Sequence, residues 1–229
     1  MAAWSTGAKH PGVGVKTGVR MVVDAPIGVP VLAITAWPDN AAMVEDCVRL
    51  GYLRATDRVL DPTYGRGTWW KRWRPARLVW CTHDTADFRH LPFAADTFDS
   101  AVFDPPYISK GRATKKLGDF DQRYGLAAYA AGTPRQSPAE VQRIMDDGLT
   151  DVVRVVKPGG FVLVKCMDYI SGGKLWQGVY KTVSHALALG CEVQDRFEHL
   201  RAPGPQPAGR PQKHARRNHS TLLVLRTPS

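Results

Sequence analysis

A repeating order of short apolar segments, glycine-containing turns and amphipathic segments runs along most of the 229-residue chain and constrains its fold more than any other feature. Short apolar segments bounded by turn residues are typical of buried strands, and longer segments with apolar residues every three to four positions are typical of helices. Strands that alternate with helices form mostly parallel sheets, because each helix carries the chain back to the edge where the next strand begins. The order therefore predicts an α/β fold with a doubly wound, mostly parallel sheet.

The predicted elements follow one another closely. We expect strands at residues 58–60, 78–82, 101–103, 161–164, 193–200 and 221–225. We expect helices at residues 41–50, 138–156 and 175–189. Pro138 suits the first turn of the second helix. The Lys157-Pro158-Gly159-Gly160 segment predicts a firm end to that helix, because proline and glycine both disfavour helical backbone.

Three segments depart from this order. Residues 1–20 contain four glycines and three cationic side chains without periodicity, which predicts a flexible basic arm. Residues 21–229 are expected to form a single domain. Within it, residues 108–136 and 201–219 are polar or rich in proline and cations, and we interpret both as inserted loops. Long irregular segments inside a compact domain are usually functional or disordered.

Composition excludes several classes of protein. No apolar run approaches the roughly 18 residues of a membrane helix, and the first residues lack the apolar stretch of a signal peptide, so we expect a cytoplasmic protein without a membrane partner. The four cysteines are far apart and form no Cys-X-X-Cys pair, which predicts neither a metal site nor a disulfide framework. The net charge of +10 favours a polyanionic partner.

The first chemical motif directly follows the predicted strand 58–60. It reads Asp61-Pro62-Thr63-Tyr64-Gly65-Arg66-Gly67, and its glycines let the backbone turn sharply and approach a ligand closely. No Gly-Lys-Ser/Thr follows, which excludes a Walker loop. A tight turn that binds no ligand is the alternative interpretation.

Acidic residues follow the next predicted strand. Asp84 lies 23 residues after Asp61, near the position where nucleotide sites place a carboxylate that accepts both ribose hydroxyls. Asp87 and Phe88 come next, and a carboxylate beside an aromatic ring suits an adenine amine and its ring. The alternatives are a loop-capping role for Asp84 and a core position for Phe88.

The motif that carries most weight is Asp104-Pro105-Pro106-Tyr107, at the end of the predicted strand 101–103. This DPPY sequence resembles motif IV of the amino-methyltransferases, which use S-adenosylmethionine to methylate exocyclic amines of nucleobases. The order of glycine loop, acid, DPPY and Lys-Pro-Gly-Gly also resembles that family, and the resemblance covers residues 40–226. It implies the class I methyltransferase fold, which is Rossmann-like with a seven-stranded sheet.

The resemblance also implies a role for individual residues. S-adenosylmethionine would be bound by Asp61, Thr63, Gly65, Gly67, Asp84, Asp87 and Phe88. The catalytic residues would be Asp104, Pro105, Pro106 and Tyr107. The Asp104 carboxylate and the Pro105 carbonyl would accept the hydrogens of the reacting amine, and Tyr107 would offer a face on which a base stacks. No metal is needed for this chemistry.

A base inside a duplex cannot reach such a pocket, so it must be flipped out or come from a single strand. The two inserted loops carry cations that we expect to bind phosphates: Lys110, Arg112, Lys115, Lys116, Lys213, Arg216 and Arg217. A merely solvated basic surface is the alternative. We interpret Trp69, Trp70 and Trp73 as packing residues outside the site. Lys165 could face the pocket or be a strand-end lysine that extends to solvent, and we leave it out of the site as well.

The resulting hypothesis is a methyltransferase that acts on the N6 amine of adenine in DNA. One alternative keeps the chemistry but takes adenine or guanine amines of RNA as the substrate. Another is a nucleic-acid-binding relative that keeps the fold without turnover. The sequence leaves the oligomeric state open.

Overall fold

A computed structural model describes residues 14–17, 30–107, 137–202 and 211–229 of the chain. Its strands are β1 (Gly14–Thr17), β2 (Ile34–Thr35), β3 (Arg58–Asp61), β4 (Arg77–Trp80), β5 (Phe98–Phe103), β6 (Val156–Cys166), β7 (Tyr169–Ser171), β8 (Lys174–Trp176), β9 (Glu192–Leu200) and β10 (His219–Arg226). Its helices are α1 (Asn40–Arg49), α2 (Pro138–Val155) and α3 (Gly178–Ala188), and a 3-10 turn covers Thr68–Trp70.

Eight of these strands form one sheet, in the order β1-β4-β3-β5-β6-β10-β9-β2. Strands β3 to β6 pair in parallel, whereas β10 runs antiparallel to both β6 and β9, and β1 runs antiparallel to β4. Six of the eight strands therefore point in the same direction, since β2 is also parallel to β9. This confirms the mostly parallel α/β sheet, to which the two-residue β2 adds an edge strand beyond the expected seven.

Helices cover both faces of the sheet. Helices α2 and α3 pack on one face, where Leu149 and Phe103 belong to one buried cluster. Helix α1 and the 3-10 turn pack on the other face, where Met43, Trp73 and Phe197 belong to a second cluster. Burying apolar side chains on both faces stabilises a doubly wound fold, and the central strands β3, β4, β5, β6 and β10 contribute side chains to both clusters.

Side chains near the helix starts explain where two of the helices begin. Asp39 Oδ1 accepts the Ala42 N–H at 2.8 Å, which satisfies one of the free donors of α1. At α2, Ser137 and Glu140 form a reciprocal capping box, and Pro138 occupies the first turn. The sequence predicted both helices to within about one residue.

Two predicted boundaries are wrong for a reason that the structure shows. The Lys157-Pro158-Gly159-Gly160 segment ends α2 as expected, but the strand predicted from residue 161 already begins at Val156, so the segment lies inside β6. A Cβ at Gly160 would lie 2.6 Å from the Asp99 carbonyl oxygen, so glycine lets β6 pass close to β5. The predicted helix 175–189 begins later, at Gly178, because the chain first forms the β7–β8 hairpin through a turn with two positive-φ glycines.

The flexible arm predicted for residues 1–20 is contradicted at Gly14–Thr17, because these residues form β1 against β4. Gly14 lies opposite Trp80, and a Cβ there would fall 1.7 Å from the Trp80 indole. Only glycine therefore lets β1 cross that ring. The rest of the predicted arm lies outside the described residues.

The two predicted insertions have different outcomes. Residues 108–136 lie outside the described residues. In the second insertion, residues 201–202 and 211–218 have no regular structure, and β10 begins at His219. In the part of the chain that the structure describes, no helix combines the length and the apolar character needed to cross a membrane.

Candidate active site

Four parallel strands, β3 to β6, bring their carboxyl ends to one edge of the sheet. The glycine loop follows β3, His83 and Asp84 come shortly after β4, the DPPY motif follows β5, and Lys165 is the penultimate residue of β6. In open α/β sheets, ligands bind outside the carboxyl ends of the strands. The topology therefore collects the predicted motifs at the edge that is suited to a ligand.

The buried Asp61 carboxylate stabilises the glycine loop through hydrogen bonds. Its side chain is buried, with 2% exposure, and it accepts hydrogen bonds from the Thr63 N–H at 3.0 Å and from Trp70 Nε1 at 2.6 Å. Burial raises the pKa of the Asp61 carboxyl to about 7, against the opposing effect of these donors. The structure therefore places Asp61 as a support of the loop rather than on the wall of a cleft.

The two loop glycines serve different purposes. Both have positive φ, +51° at Gly65 and +66° at Gly67. A Cβ at Gly67 would lie 2.5 Å from the Tyr64 ring, which stacks on Trp80 with its centroid at 4.7 Å. A Cβ at Gly65 would meet only the Thr63 carbonyl oxygen, at 3.8 Å. Gly67 therefore leaves room for Tyr64, whereas Gly65 leaves open space beside a cleft.

That cleft, called here the loop cleft, is small, with a volume of about 30 Å³, and it opens to solvent. It is lined by Pro62, Thr63, Gly65, Thr82, His83, Ala86, Phe88 and Pro106. Four of the residues predicted to form the site meet here: Thr63, Gly65, Phe88 and Pro106. The Phe88 ring also packs edge to face on Phe103 at 5.4 Å, so it contributes both to the cleft wall and to the core.

The two predicted acids after β4 do not line the loop cleft. The Asp84 side chain is 77% exposed, and its Oδ1 lies 2.8 Å from His83 Nε2. The Asp87 carboxylate accepts hydrogen bonds from Arg89, and this guanidinium lowers the pKa of Asp87. Thr82 and His83 do line the cleft, although neither was predicted from the sequence to form the site. Their position directly after the end of β4 is the signal that could have identified them.

Asp104 is half-buried and held from two sides. Its backbone N–H donates to Thr63 Oγ1 at 2.9 Å, and its Oδ2 accepts the Trp69 Nε1–H at 3.0 Å. Burial raises the pKa of the Asp104 carboxyl, and Lys165, Trp69 and Arg201 oppose that effect. Pro105 is buried, and Tyr107 is half-buried against the core cluster of α2 and α3. The DPPY motif thus lies at the carboxyl edge of the sheet, with Pro105 buried and the other three residues half-buried.

Lys165 lies beside Asp104 with only 1% of its side chain exposed. Its Nζ donates a hydrogen bond to Asn40 Oδ1 and lies 5.2 Å from the centroid of the Trp69 ring. Burial lowers the pKa of Lys165 to about 8, although the Asp104 carboxylate favours the ammonium. Lys165 and Trp69 were not among the residues predicted from the sequence to form the site. The signal for Lys165 was a charged residue that ends an otherwise apolar strand.

A second cleft, called here the helix cleft, has a volume of about 540 Å³ at the start of α1. It is lined by Ala36, Trp37, Pro38, Asp39, Asn40, Thr68, Lys71, His199, Leu200, Arg201 and Ala202. Asn40 connects it to Lys165, and the Arg201 guanidinium affects the pKa values of both Asp104 and Lys165. Asn40 therefore places Lys165 next to the helix cleft, whereas Thr63 places Asp104 next to the loop cleft.

His199 is a buried polar residue of the helix cleft. Its Nε2 donates to the Trp37 carbonyl oxygen at 2.9 Å, and its Nδ1 has no partner among the described residues. Burial lowers the pKa of His199, which favours the neutral ring. In that form, Nδ1 is a hydrogen-bond acceptor.

The predicted phosphate-binding residues divide into two groups. Lys110, Arg112, Lys115 and Lys116 lie outside the described residues. Lys213 and Arg216 are exposed, and Arg217 is half-exposed and donates to the Ala215 carbonyl oxygen at 2.8 Å. Arg201 was not among the residues predicted to form the site, but it lines the helix cleft.

Comparison with solved structures identifies the fold. The chain is similar to a structure named as a candidate methyltransferase from Bacillus halodurans C-125, with a TM-score of 0.51 and 10% identity over 81% of this chain and 99% of that one. The fold is that of a class I methyltransferase. No family model matches the chain, and a search of curated proteins finds no match.

The chain is also similar to a candidate DNA modification methylase from Thermus thermophilus, with a TM-score of 0.41 and 17% identity over 63% of this chain and 52% of that one. A second structure of that protein, in complex with S-adenosyl-L-methionine, has a TM-score of 0.42 and 14% identity over 75% of this chain and 56% of that one. The chain therefore spans about half the length of the Thermus protein.

Proposed function

We propose that this protein is an S-adenosylmethionine-dependent methyltransferase that methylates the N6 amine of adenine in DNA. The observation that carries the proposal is the DPPY motif at the end of β5. There, Trp69 and Thr63 hold the half-buried Asp104 beside the glycine loop. An acceptor for an amine and a cleft for a nucleotide-like cofactor are thus joined by one side chain, Thr63, which lines the cleft and accepts from Asp104.

The loop cleft is the proposed cofactor site. Gly65 lets the backbone approach the cofactor closely, and Thr63, Thr82 and His83 offer polar atoms beside the apolar ring of Phe88. Asp61 and Gly67 would act indirectly, by holding the loop in its turn. Asp84 and Asp87 would have to turn from their present partners to reach a ribose or an adenine.

Asp104 and Pro105 would activate the amine. The amine of adenine is a weak nucleophile, because its lone pair is delocalised into the ring. The Asp104 carboxylate and the Pro105 carbonyl, each accepting one amine hydrogen, favour a pyramidal nitrogen whose lone pair is free. S-adenosylmethionine supplies an electrophilic methyl group when bound. Holding the amine in line with that group provides most of the remaining catalysis, and the Tyr107 ring offers a stacking face.

The proposed substrate is nucleic acid, with DNA favoured. The charge of +10 supports a polyanionic partner, and a base in a duplex must leave the stack to reach Asp104. RNA adenine or guanine amines and binding without turnover are the alternatives. The test uses tritiated S-adenosylmethionine with separate pools of single-stranded DNA, duplex DNA and RNA.

Incorporation of tritium into the DNA pools supports the proposal, whereas incorporation into RNA alone would mean that the substrate is RNA instead of DNA. If calorimetry shows that the protein binds S-adenosylmethionine but no methyl group is transferred to any pool, the protein is a binding protein without turnover. Absence of both binding and transfer overturns the proposed function.

Phosphate contacts by the loop 201–219 form a separate part of the proposal. Each phosphate neutralised on duplex DNA contributes about 0.9 to the slope of log affinity against log salt. Changing Lys213, Arg216 and Arg217 together to Ala should therefore flatten that slope by roughly two to three units. The matched control changes three exposed cations elsewhere, Arg143, Lys174 and Lys181, and should leave the slope unchanged. Equal slopes for both triple variants would mean that the loop does not bind phosphates.

A further inference from the structure

Lys165 has hydrogen-bonding capacity that the protein does not use. An ammonium group carries three donors, and in the described part of the chain Lys165 Nζ makes one hydrogen bond, to Asn40 Oδ1. The side chain is 1% exposed, so water has little access to the remaining donors. Burying a charged group with unused donors is costly, which makes such a residue a candidate for contact with a ligand.

Asp104 has complementary unused capacity next to Lys165. The Trp69 Nε1–H donates a hydrogen bond to Asp104 Oδ2, whereas Asp104 Oδ1 has no hydrogen-bond partner among the described residues. The two charges influence each other's pKa, yet no ion pair of 4.0 Å or less joins them in the described structure. An acceptor and a donor are therefore presented near each other without satisfying each other.

Trp69 holds both groups in place. Its Nε1 donates to Asp104 at 3.0 Å, and the face of its ring lies 5.2 Å from Lys165 Nζ. Trp69 itself is 4% exposed in the core cluster of α1, so it is a rigid support. Asn40, at the first position of α1, fixes the ammonium from the other side. The spacing of acceptor and donor is therefore set by packed elements.

A nucleobase that carries an amine beside an unprotonated ring nitrogen presents the matching pair. In adenine, the N6 amine donates and N1 accepts; in cytosine, the N4 amine donates and N3 accepts. Enzymes that flip a base out of the stack read it by hydrogen bonds to this edge. Arg201 and His199 also lie close enough to Lys165 to interact with its charge, and each lines the helix cleft.

We propose that Lys165 is a specificity-determining residue whose ammonium donates a hydrogen bond to the ring nitrogen next to the amine held by Asp104. This inference rests on the proposed function. It predicts that the site selects bases by the presence of that ring acceptor, because a base that lacks it leaves the ammonium unpaired.

The experiment compares single-stranded DNA oligonucleotides in which the target adenine is replaced by 1-deazaadenine or by 7-deazaadenine. The first analogue lacks the ring acceptor beside the amine, and the second keeps it. We expect wild-type kcat/KM to be about 10- to 100-fold lower on the 1-deaza than on the 7-deaza substrate. If the product of the wild-type protein is methylcytosine, 3-deazacytosine takes the place of 1-deazaadenine and 5-methylcytosine is the acceptor-retaining control. If it is methylguanine, 3-deazaguanine and 7-deazaguanine form the pair.

The variant Lys165→Met should abolish the discrimination, so that both analogues react at similar rates. Lys181→Met is the matched control, because Lys181 also lies over a tryptophan ring, that of Trp176 at 4.8 Å, but its side chain is exposed on the surface of α3. It should keep the wild-type ratio. The wild-type ratio by itself keeps the inference testable if Lys165→Met does not fold.

Equal wild-type rates on both analogues, or full discrimination by a folded Lys165→Met protein, overturn the role of Lys165. Either result leaves the proposed function intact when ordinary adenine is methylated. Failure to methylate any ordinary base overturns both proposals together.

Discussion

Two aspartates end neighbouring parallel strands, and consecutive tryptophans bind them. Asp61 ends β3 and accepts the Trp70 indole N–H at 2.6 Å. Asp104 follows β5 and accepts the Trp69 indole N–H at 3.0 Å. Strands β3 and β5 are neighbours in the sheet, so the 3-10 turn of residues 68–70 reaches both carboxylates.

The two carboxylates differ in burial and in hydrogen bonding. Asp61 is 2% exposed, and both of its oxygens accept hydrogen bonds from its own loop and from Trp70. Asp104 is half-buried, keeps Oδ1 without a partner among the described residues and has the Lys165 ammonium nearby. A carboxylate at the end of a strand therefore supports the fold when both of its oxygens accept hydrogen bonds from the protein. It is available to a substrate when one oxygen has no such partner.

Changing the open carboxylate should have the largest effect on activity. In Asp104→Ala, kcat should fall by about 10² or more, because the contact to the reacting nitrogen is lost. Affinity for S-adenosylmethionine, measured by calorimetry, should change much less. Asp99→Ala removes a carboxylate from the opposite end of β5, where it accepts from Lys157, and should keep kcat. Near-normal turnover of Asp104→Ala would remove Asp104 from the catalytic machinery.

Asp61 should instead control stability as a function of pH. Because burial raises the pKa of Asp61 to about 7, above its unfolded value near 4, the folded state holds this proton more tightly than the unfolded state. Stability from this group is therefore full below about pH 4 and is lost as the pH rises through about 7. Relative to Asp61→Asn, the wild-type free energy of unfolding should fall by about 2–4 kcal/mol over that range.

Denaturant titrations at pH 4, 5.5 and 7 measure this difference. A constant gap between wild type and Asp61→Asn across the three pH values would show that Asp61 stays ionised in the fold. The kcat of the folded Asp61→Asn protein should remain within a few-fold of wild type.

The two tryptophans allow a closely matched comparison. Both are buried, with 4% exposure at Trp69 and 5% at Trp70, so each change to Phe should cost a similar loss of packing. Trp69→Phe should also lower kcat about tenfold, because Asp104 Oδ2 loses its donor. Trp70→Phe should lower the free energy of unfolding by about 1–3 kcal/mol with little change in kcat. The same loss of kcat in both variants would contradict the separation of roles.

The two glycines should give the smallest effects. Alanine at either positive-φ position strains the backbone by about 1–2 kcal/mol. Gly65→Ala should weaken S-adenosylmethionine binding several-fold, since its Cβ would enter the space beside the loop cleft. Gly67→Ala should mainly lower the melting temperature, since its Cβ would collide with Tyr64. Calorimetry and thermal unfolding on both variants measure this contrast, and a reversed order would exchange the two roles.

Local sequence signals were enough to predict the three helices, the strands β3 to β6, β9 and β10, and the DPPY edge, but they did not predict β1, β2 or the β7–β8 hairpin. The strand-end position of Asp104 depends on residues next to it in the chain, and so does the turn at Gly65. The doubly wound arrangement follows from the same alternation, because parallel strands require crossover connections.

The parts that the sequence could not predict depend on contacts between distant residues. Lys165 and Asn40 are separated by 125 positions and meet only because β6 ends beside the start of α1. From the sequence, Trp69 is expected to be a packing residue. Its hydrogen bond to Asp104 forms only because β3 and β5 are neighbours in the sheet. Asp84 suits a ribose by its spacing, but the irregular chain after β4 leaves its carboxylate exposed beside His83. No local pattern specifies such side-chain directions.

The most direct test of the central claim is mass spectrometry of nucleosides from DNA that has been incubated with S-adenosylmethionine and either wild-type protein or Asp104→Ala. We expect N6-methyladenine after incubation with the wild-type protein, and an amount of that product about 10²-fold lower, or less, with the variant. Methylation at a ring nitrogen, a ring carbon or a sugar hydroxyl would contradict an amine held by Asp104, and so would equal amounts of N6-methyladenine from both proteins.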